Sequence, residues 1–340
     1  MENDRPTVLN HTVPRMSAQQ VFELVKDDLL QVEEEFARQV QSSVYIIHEI
    51  GRYLVDGGGK RIRPALLLLA ARMFGRSGSR DVIRMASVIE FLHTATLIHD
   101  DIIDDAELRR GRPSVNAYWG NETTVLMGDW LYMVAFETSL EERNFKMLDM
   151  LTRATRKMVE GELIELMHVG NLDLAEAIYF DIIRRKTAYL FCASVEIGGL
   201  LGGATPEELR ALHDYGMNLG TAFQLVDDVL DFASSEDALG KPAGNDLKEG
   251  KLTLPLIYLM ERGDPALREM IATVIRDRDY THVARPQVLD ALISLGALER
   301  AREEARAYGA AASDSLDPLS DSPYKVALQS LTHFVLHRSK

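Results

Sequence analysis

Residues 88–104 read VIEFLHTATLIHDDIID and residues 219–232 read LGTAFQLVDDVLDF, and both carry the same acidic arrangement, DDxxD, at or near their ends. In each stretch apolar side chains recur at three- and four-residue intervals up to the acidic cluster, which is the spacing of a buried helical face. Asp100 and Asp104 stand four apart and so share a face, as do Asp227 and Asp231. Like charges at that spacing cost a helix about a few tenths of a kcal/mol, and crowding them toward its C-terminal end opposes the macrodipole. Something cationic must compensate. Carboxylates without cysteine or a paired histidine motif select Mg²⁺ or Ca²⁺ rather than zinc, and Mg²⁺ normally keeps waters and shares its ligands with a substrate phosphate. Neither cluster has the central glycine and terminal glutamate of an EF-hand loop. One acidic cluster alone is commonly a solvated surface, but two copies embedded in apolar helices are not.

Outward from these segments the helical period continues, as in Val21, Leu24, Val25, Leu29 and Val32, and no convincing alternating strand interrupts it. Glycine- and proline-rich breaks fall at residues 57–59, 75–79, 109–114, 202–206, 240–250 and 285–286. They punctuate a bundle, so the expected fold is all-α and single-domain, residues 17–340, behind a loose tail of residues 1–16. That tail carries Glu2 and Asp4 and no apolar run, unlike a signal peptide. The part after Arg276 reads as helices without a motif.

The 340 residues are 46% hydrophobic and 26% charged, ordinary globular usage. A net charge of −14 argues against a nucleic-acid partner, so any anionic ligand must be met by local basic groups. The most apolar stretch, residues 64–74, is broken by Arg72 and falls short of the ~20 residues of a membrane span. A lone cysteine, Cys192, rules out an internal disulfide framework, reads as a small core residue, and suits a reducing cytoplasm.

Four basic groups stand where they can serve an anion. Lys60 and Arg63 sit in GGGKRIRP, a bare backbone turn opening a helix whose free N–H groups can cradle phosphate oxygens. The spacing is not that of a P-loop. Arg109 and Arg110 follow the first acidic cluster by one to two turns. Lys186 and Thr187 bring a charge and a hydroxyl into an apolar run. Lys241 and Lys251 bracket the loop after the second cluster. Acidic metal sites ringed by such groups and floored by apolar helix suit a ligand with a diphosphate head and a hydrocarbon tail.

With GGGKRIRP, EFLHTATLIHDDIIDDAELRRGRPS, GDWLYMVAF, EGEL, RRKTAYLF, FQLVDDVLDF and GKPAGNDLKEGKLTLP in this order, the chain resembles the trans-isoprenyl diphosphate synthases from about residue 57 to 255. Within that family it is most similar to the long-chain, octaprenyl-type members. The resemblance implies an isoprenoid synthase helical bundle around a deep central cavity, usually a homodimer. It assigns Lys60, Arg63, His93 and Arg110 to isopentenyl diphosphate. Arg109, Lys186, Thr187, Gln224, Lys241 and Lys251 fall to the allylic diphosphate, and Asp100, Asp104 and Asp227 to Mg²⁺, with Asp101 supporting and Asp228 and Asp231 counted in the metal set through their network.

The implied reaction ionises the allylic C–O bond with Mg²⁺ assistance, adds the double bond of isopentenyl diphosphate, and passes a proton to the released diphosphate, so no protein nucleophile is needed. Small residues at Ala95 and Thr96, one turn before Asp100, stand where short-chain members carry a bulky aromatic floor. A long product, hexaprenyl to decaprenyl, is therefore expected, with Leu92 and Ile89 deeper on the same helix and Tyr132, Met133 and Phe136 on the facing one as the next obstacles. Such a lipid-like product can bring the enzyme into transient contact with a membrane. The alternatives are a farnesyl or geranylgeranyl diphosphate synthase, a terpene cyclase or squalene-synthase-like protein, which lacks the GGGKRIRP group, and a non-catalytic subunit, in which acidic or basic ligands would be lost.

Overall fold

The computed structural model describes residues 15–233 and 244–338, so Lys241, expected at the allylic diphosphate, lies outside the described residues. In chain order the elements are α1 (Ala18–Glu23), α2 (Lys26–Gln39), α3 (Tyr45–Asp56), α4 (Ile62–Met73), α5 (Arg80–Ile103), β1 (Leu108–Arg109), β2 (Arg112–Pro113), α6 (Val115–Trp119), α7 (Asn121–Glu141) and α8 (Phe145–Leu166). There follow α9 (Glu176–Ile183), a π-helical turn (Arg184–Ala188), α10 (Tyr189–Gly202), α11 (Pro206–Ala233), α12 (Asn245–Lys248), α13 (Leu254–Met260), α14 (Pro265–Asp277), α15 (Arg285–Ser294), α16 (Ala297–Ser315) and α17 (Pro323–His337). The fold is the all-α bundle that the helical periodicity predicts.

Helix α4 explains the arrangement. Residues 65–71, ALLLLAA, are all wholly buried, so the helix is apolar all round and must be enclosed by others. It packs against α5 and α10, and α10 in turn lies along α11. The α4–α10 contact is close because a Cβ at Gly198 would stand 2.3 Å from the Leu67 carbonyl oxygen. At the α10–α11 contact, one at Gly216 would stand 2.5 Å from the Cys192 Cα. Helix α5 meets α4 on one side and α7 on another.

Two apolar clusters result, and α11 runs through both. Leu212, Tyr215 and Leu219 belong to the cluster built on α4, α5 and α10, whereas Leu225, Val229 and Phe232 join the one made with α13 to α16. The second acidic motif therefore emerges on the helix that stitches the two clusters together. No helix among the described residues is long and apolar enough to cross a membrane.

Two local departures from plain helix were not foreseen. Leu108–Arg109 and Arg112–Pro113 pair as a minimal antiparallel hairpin. Its two turn residues, Arg110 and Gly111, both have positive φ (54° and 74°), the backbone of a tight type I′-like turn whose twist matches paired strands. The second departure is the π-helical turn at residues 184–188, one extra residue inside the α9–α10 run, a feature that recurs at functional sites.

Candidate active site

Helices α5 and α11 deliver the acidic groups. Asp100 lies in the last turn of α5, and Asp104 is its C-cap, where the chain leaves the helix. Burial pushes the Asp100 carboxyl up to about 7; Glu162 and Asp104 push the same way, against the pull of Lys186 and Arg109. Asp101 points elsewhere: it is buried and receives Arg109 through Nε at 2.7 Å and the terminal nitrogen at 2.6 Å. Asp104 accepts from Lys251 at 2.8 Å.

On α11 the three aspartates divide. Asp227 is 43% exposed and pairs with Arg338 at 2.6 Å. Asp228 is buried, and both of its oxygens are taken, one by the Tyr179 hydroxyl at 2.5 Å and the other by the Gln224 amide at 2.9 Å. Burial and the nearby Asp246 push it upward. Asp231, also buried, accepts from the backbone N–H groups of Asn245 and Asp246 at 3.3 Å each, which anchors the start of α12. Only Asp227 of this motif turns an exposed carboxylate outward, so Asp228 and Asp231 support the site through hydrogen bonds, and the expected direct metal set narrows to Asp100, Asp104 and Asp227.

The basic groups form two walls. On the first, Arg63 is half-buried, stacks over Phe191 at 4.7 Å, and its buried Nε has no hydrogen-bond partner. Burial lowers this guanidinium to about 10 in spite of Glu90 and Asp227, a cation short of counter-charge. Lys60 is likewise lowered, by burial and then by Arg338. His93 is held well below its ordinary value by burial and by Arg63, Arg110, Arg109 and Arg61, so it is a neutral imidazole within a ring of guanidiniums. Arg110 donates to the Gly58 carbonyl from the tip of the hairpin. Arg61, between Lys60 and Arg63 in sequence, is occupied: it takes the left-handed N-cap position of α4 (φ 49°) and is held there by Glu33 and Glu90. This wall brings together Lys60, Arg63, His93 and Arg110.

The second wall stands on the π-helical turn. Lys186 reaches Glu162 at 2.7 Å and also Glu165, both on α8, and although burial opposes it these carboxylates raise its pKa. Thr187 donates to the Gln224 side chain at 2.8 Å, which continues through Asp228 to Tyr179. With Lys251 these residues line a cavity of about 130 Å³ that also includes Asp246.

Along the proposed tail path Ile89, Leu92 and Ala95 are buried, and Thr96 spends its hydroxyl on the His93 carbonyl at 2.8 Å. Tyr132 and Phe136 are half-buried on α7. Met133 is not with them: it is 61% exposed on the outer face of α7, because the residues that meet α5 are those in register with Met127, Leu131 and Val134. As an obstacle to the tail within one chain it is set aside.

Three members of the site escaped the sequence reading. Glu162 and Glu165 were overlooked because acidic residues on an amphipathic helix look like solvated surface, although EGEL stood out as a segment. Arg338 had no signal at all, since only the tertiary packing of α17 brings it to Asp227.

Oxygen donors and buried uncompensated carboxylate character at Asp100 fit a hard divalent cation, and the orphaned Nε of Arg63 fits an anion. Together they suit a metal-assisted reaction of two phosphate-bearing substrates. The sequence profile of the polyprenyl synthetase family matches residues 44–292. Over 96% of its length the chain is 42% identical to all of the octaprenyl diphosphate synthase of Escherichia coli (strain K12). It is 37% identical, over 84% of its length and 88% of the relative's, to a short chain isoprenyl diphosphate synthase of Methanothermobacter thermautotrophicus. Among solved structures it is similar to a polyprenyl synthase from Caulobacter crescentus complexed with calcium and isoprenyl diphosphate, with a TM-score of 0.91, 37% identity, and coverage of 96% of this chain and 100% of that one.

Proposed function

Since the chain belongs to the polyprenyl synthetase family and is a prenyltransferase, we propose that it extends an allylic diphosphate with isopentenyl diphosphate at the two cationic walls, as a Mg²⁺-dependent homodimeric enzyme. The observation that carries this reading is the division of the basic groups: Lys60, Arg63, His93 and Arg110 act on one another on one side, Lys186, Thr187, Gln224 and Lys251 line a cavity on the other, and Asp227 acts on Lys60 and Arg63 while Asp100 is acted on by Lys186.

Asp100, Asp104 and Asp227 would hold the Mg²⁺, which when bound would supply counter-charge to a departing diphosphate. Lys186 and Lys251 add fixed positive charge there, and Arg109, held by its double contact with Asp101, lines a neighbouring cavity with Arg110. The first wall has a different task, holding a diphosphate that does not leave. Arg63, with a buried unspent donor, binds that group most strongly, and neutral His93 adds a hydrogen bond without a titratable charge. The proton released on addition passes to the departed diphosphate. Closing the site keeps water from the allylic cation.

For the tail, the small wholly buried side chain of Ala95 lies five residues, ~7.5 Å along the helix, below Asp100. Small size here, with Leu92 and Ile89 further down, supports a product in the hexaprenyl to decaprenyl range. A cytoplasmic location and brief membrane contact during product release belong to the same reading. Incubation with Mg²⁺, labelled isopentenyl diphosphate and farnesyl diphosphate, followed by sizing, tests it. The wild type should give chains of six to ten isoprene units, and Ala95→Phe should stop near farnesyl or geranylgeranyl diphosphate. A wild-type product no longer than geranylgeranyl diphosphate would sink the long-chain reading.

A further inference from the structure

Away from the active site, the contact between α10 and α11 holds a group of side chains that the prenyl-transfer chemistry does not use. Among the described residues, Cys192, Glu196 and His213 bring one sulfur, one oxygen and one nitrogen donor within 4.8 Å of one another. Cys192 and Glu196 are one turn apart on α10, so they share a face, and His213 faces them from α11. The approach depends on Gly216, one turn beyond His213, where any Cβ would collide with the Cys192 backbone.

The separations are informative. Cys192 Sγ lies 3.1 Å from Glu196 Oε2 and 3.1 Å from His213 Nδ1, and His213 Nδ1 lies 3.4 Å from Glu196 Oε1. In a tetrahedral zinc site, with bonds of about 2.3 Å to sulfur and about 2.0–2.2 Å to nitrogen and oxygen, the ligand atoms stand about 3.3–3.5 Å apart. The Cys192–His213 separation, and the approach of one carboxylate oxygen to each of them, lie within about half an ångström of one face of such a tetrahedron; Oε2 stands by the thiol and Oε1 by the imidazole, so a small rotation of the Glu196 carboxylate brings a single oxygen into place. Cys192 is buried while the His213 side chain is 43% exposed, which gives an ion a way in and leaves the fourth position open to water.

We infer that Cys192, Glu196 and His213 form a Zn²⁺-binding site that clamps α10 to α11. Binding replaces the thiol proton: the S–H bond breaks, an S–Zn bond forms, and the proton leaves to solvent past the exposed edge of His213. No oxidant or reductant is involved. Metal-free, the thiol donates to Glu196, and burial together with that carboxylate and Asp214 holds its pKa well up, while Arg153 from α8 pulls it down. A thiolate and an imidazole select zinc over Mg²⁺, which prefers oxygen donors alone. The site is separate from the aspartate motifs, since His213 and Asp227 are fourteen residues apart on α11, ~21 Å along its axis.

Titration of chelator-treated full-length protein with Co²⁺ tests the site, because Cys192 is the sole cysteine of the chain and any thiolate-to-cobalt charge-transfer absorption must arise from it. One equivalent of Co²⁺ should produce that band, Zn²⁺ should abolish it, and millimolar Mg²⁺ should not. Cys192→Ser should lose it. Since a buried substitution can upset folding, Glu196→Gln and His213→Ala provide the second arm, each expected to weaken the metal by about tenfold or more. Zinc should also raise the thermal midpoint of the wild type and not of His213→Ala. Absence of the band, or a band with unchanged affinity in both Glu196→Gln and His213→Ala, would overturn the site and leave the prenyl-transfer reading untouched, because the aspartates contribute no thiolate signal.

Discussion

Arg63 and Lys186 are both half-buried cations, yet their surroundings differ in a way that predicts different kinetics. Arg63 lacks a partner at Nε and is lowered by burial, whereas Lys186 is held by Glu162 and Glu165 and raised by them. Arg63→Ala should therefore raise KM for isopentenyl diphosphate by about 10- to 100-fold, the worth of a hydrogen bond to a charged group, with a smaller change in kcat. Lys186→Ala should mainly lower kcat. Steady-state kinetics with each substrate varied separately decide this, and equal effects of both variants on both parameters would undo the division into two walls. Asp100 adds a pH dependence. Its native pKa, about 7, lies above its unfolded value, so the native state holds the extra proton between about pH 4 and 7. The resulting penalty on folding is absent below that window and complete above it, so chelator-treated enzyme should melt at lower temperature as pH rises from 5 to 8. Asp100→Asn should flatten that slope. The same slope in both proteins would mean that Asp100 is not the group responsible.

The elements show which parts of the site a sequence can announce. Asp100, Asp104 and Asp227 were legible because four-residue spacing within an apolar helical period fixes their face without tertiary information. Lys60 and Arg63 were legible because glycine and proline mark where α4 begins. The π-helical turn was not, since one inserted residue leaves the apolar period of α9 and α10 nearly intact, and the two-residue strands of the hairpin are too short to alternate. The difference between Asp227 and its neighbours Asp228 and Asp231 was equally hidden, because it depends on Tyr179, Gln224 and the start of α12. The π turn carries a prediction of its own. It rests against α8 at Gly161, where a Cβ would come 2.7 Å from the Arg185 Cβ and 3.0 Å from the Lys186 amide nitrogen. Gly161→Ala must push the turn away, at about 1–3 kcal/mol of overpacking. It should lower kcat through misplaced Lys186 and Thr187 while sparing KM for isopentenyl diphosphate, bound on the other wall. A variant with normal kcat would show that the turn's position does not matter to catalysis.

At the scale of the whole molecule, the surface carries a feature that the single chain does not account for. Leu126, Met133 and Leu140, at seven-residue intervals along the outside of α7, are 50–68% exposed, and Phe145 beyond them is 82% exposed. On α8, Val159, Leu163 and Met167 form a similar exposed stripe. Apolar rows of this length belong at interfaces, and a seven-residue repeat suits a helix laid along another at a shallow angle. Two copies, each with a net charge of −14, repel one another, so the proposed homodimer needs an apolar contact surface, for which these stripes are the candidate. In the proposed homodimer, exposed Met133 would be an interface side chain rather than an obstacle in the tail cavity. Replacing Leu126 by Glu and Met133 by Lys together should turn a dimer into a monomer in sedimentation at micromolar concentration, with the helical content unchanged because neither residue is in the core. Raising the salt should tighten the wild-type dimer by screening the net repulsion, whereas an association held by ion pairs would loosen. A wild type that sediments as a monomer, or a double variant that stays dimeric, would remove α7 from the interface.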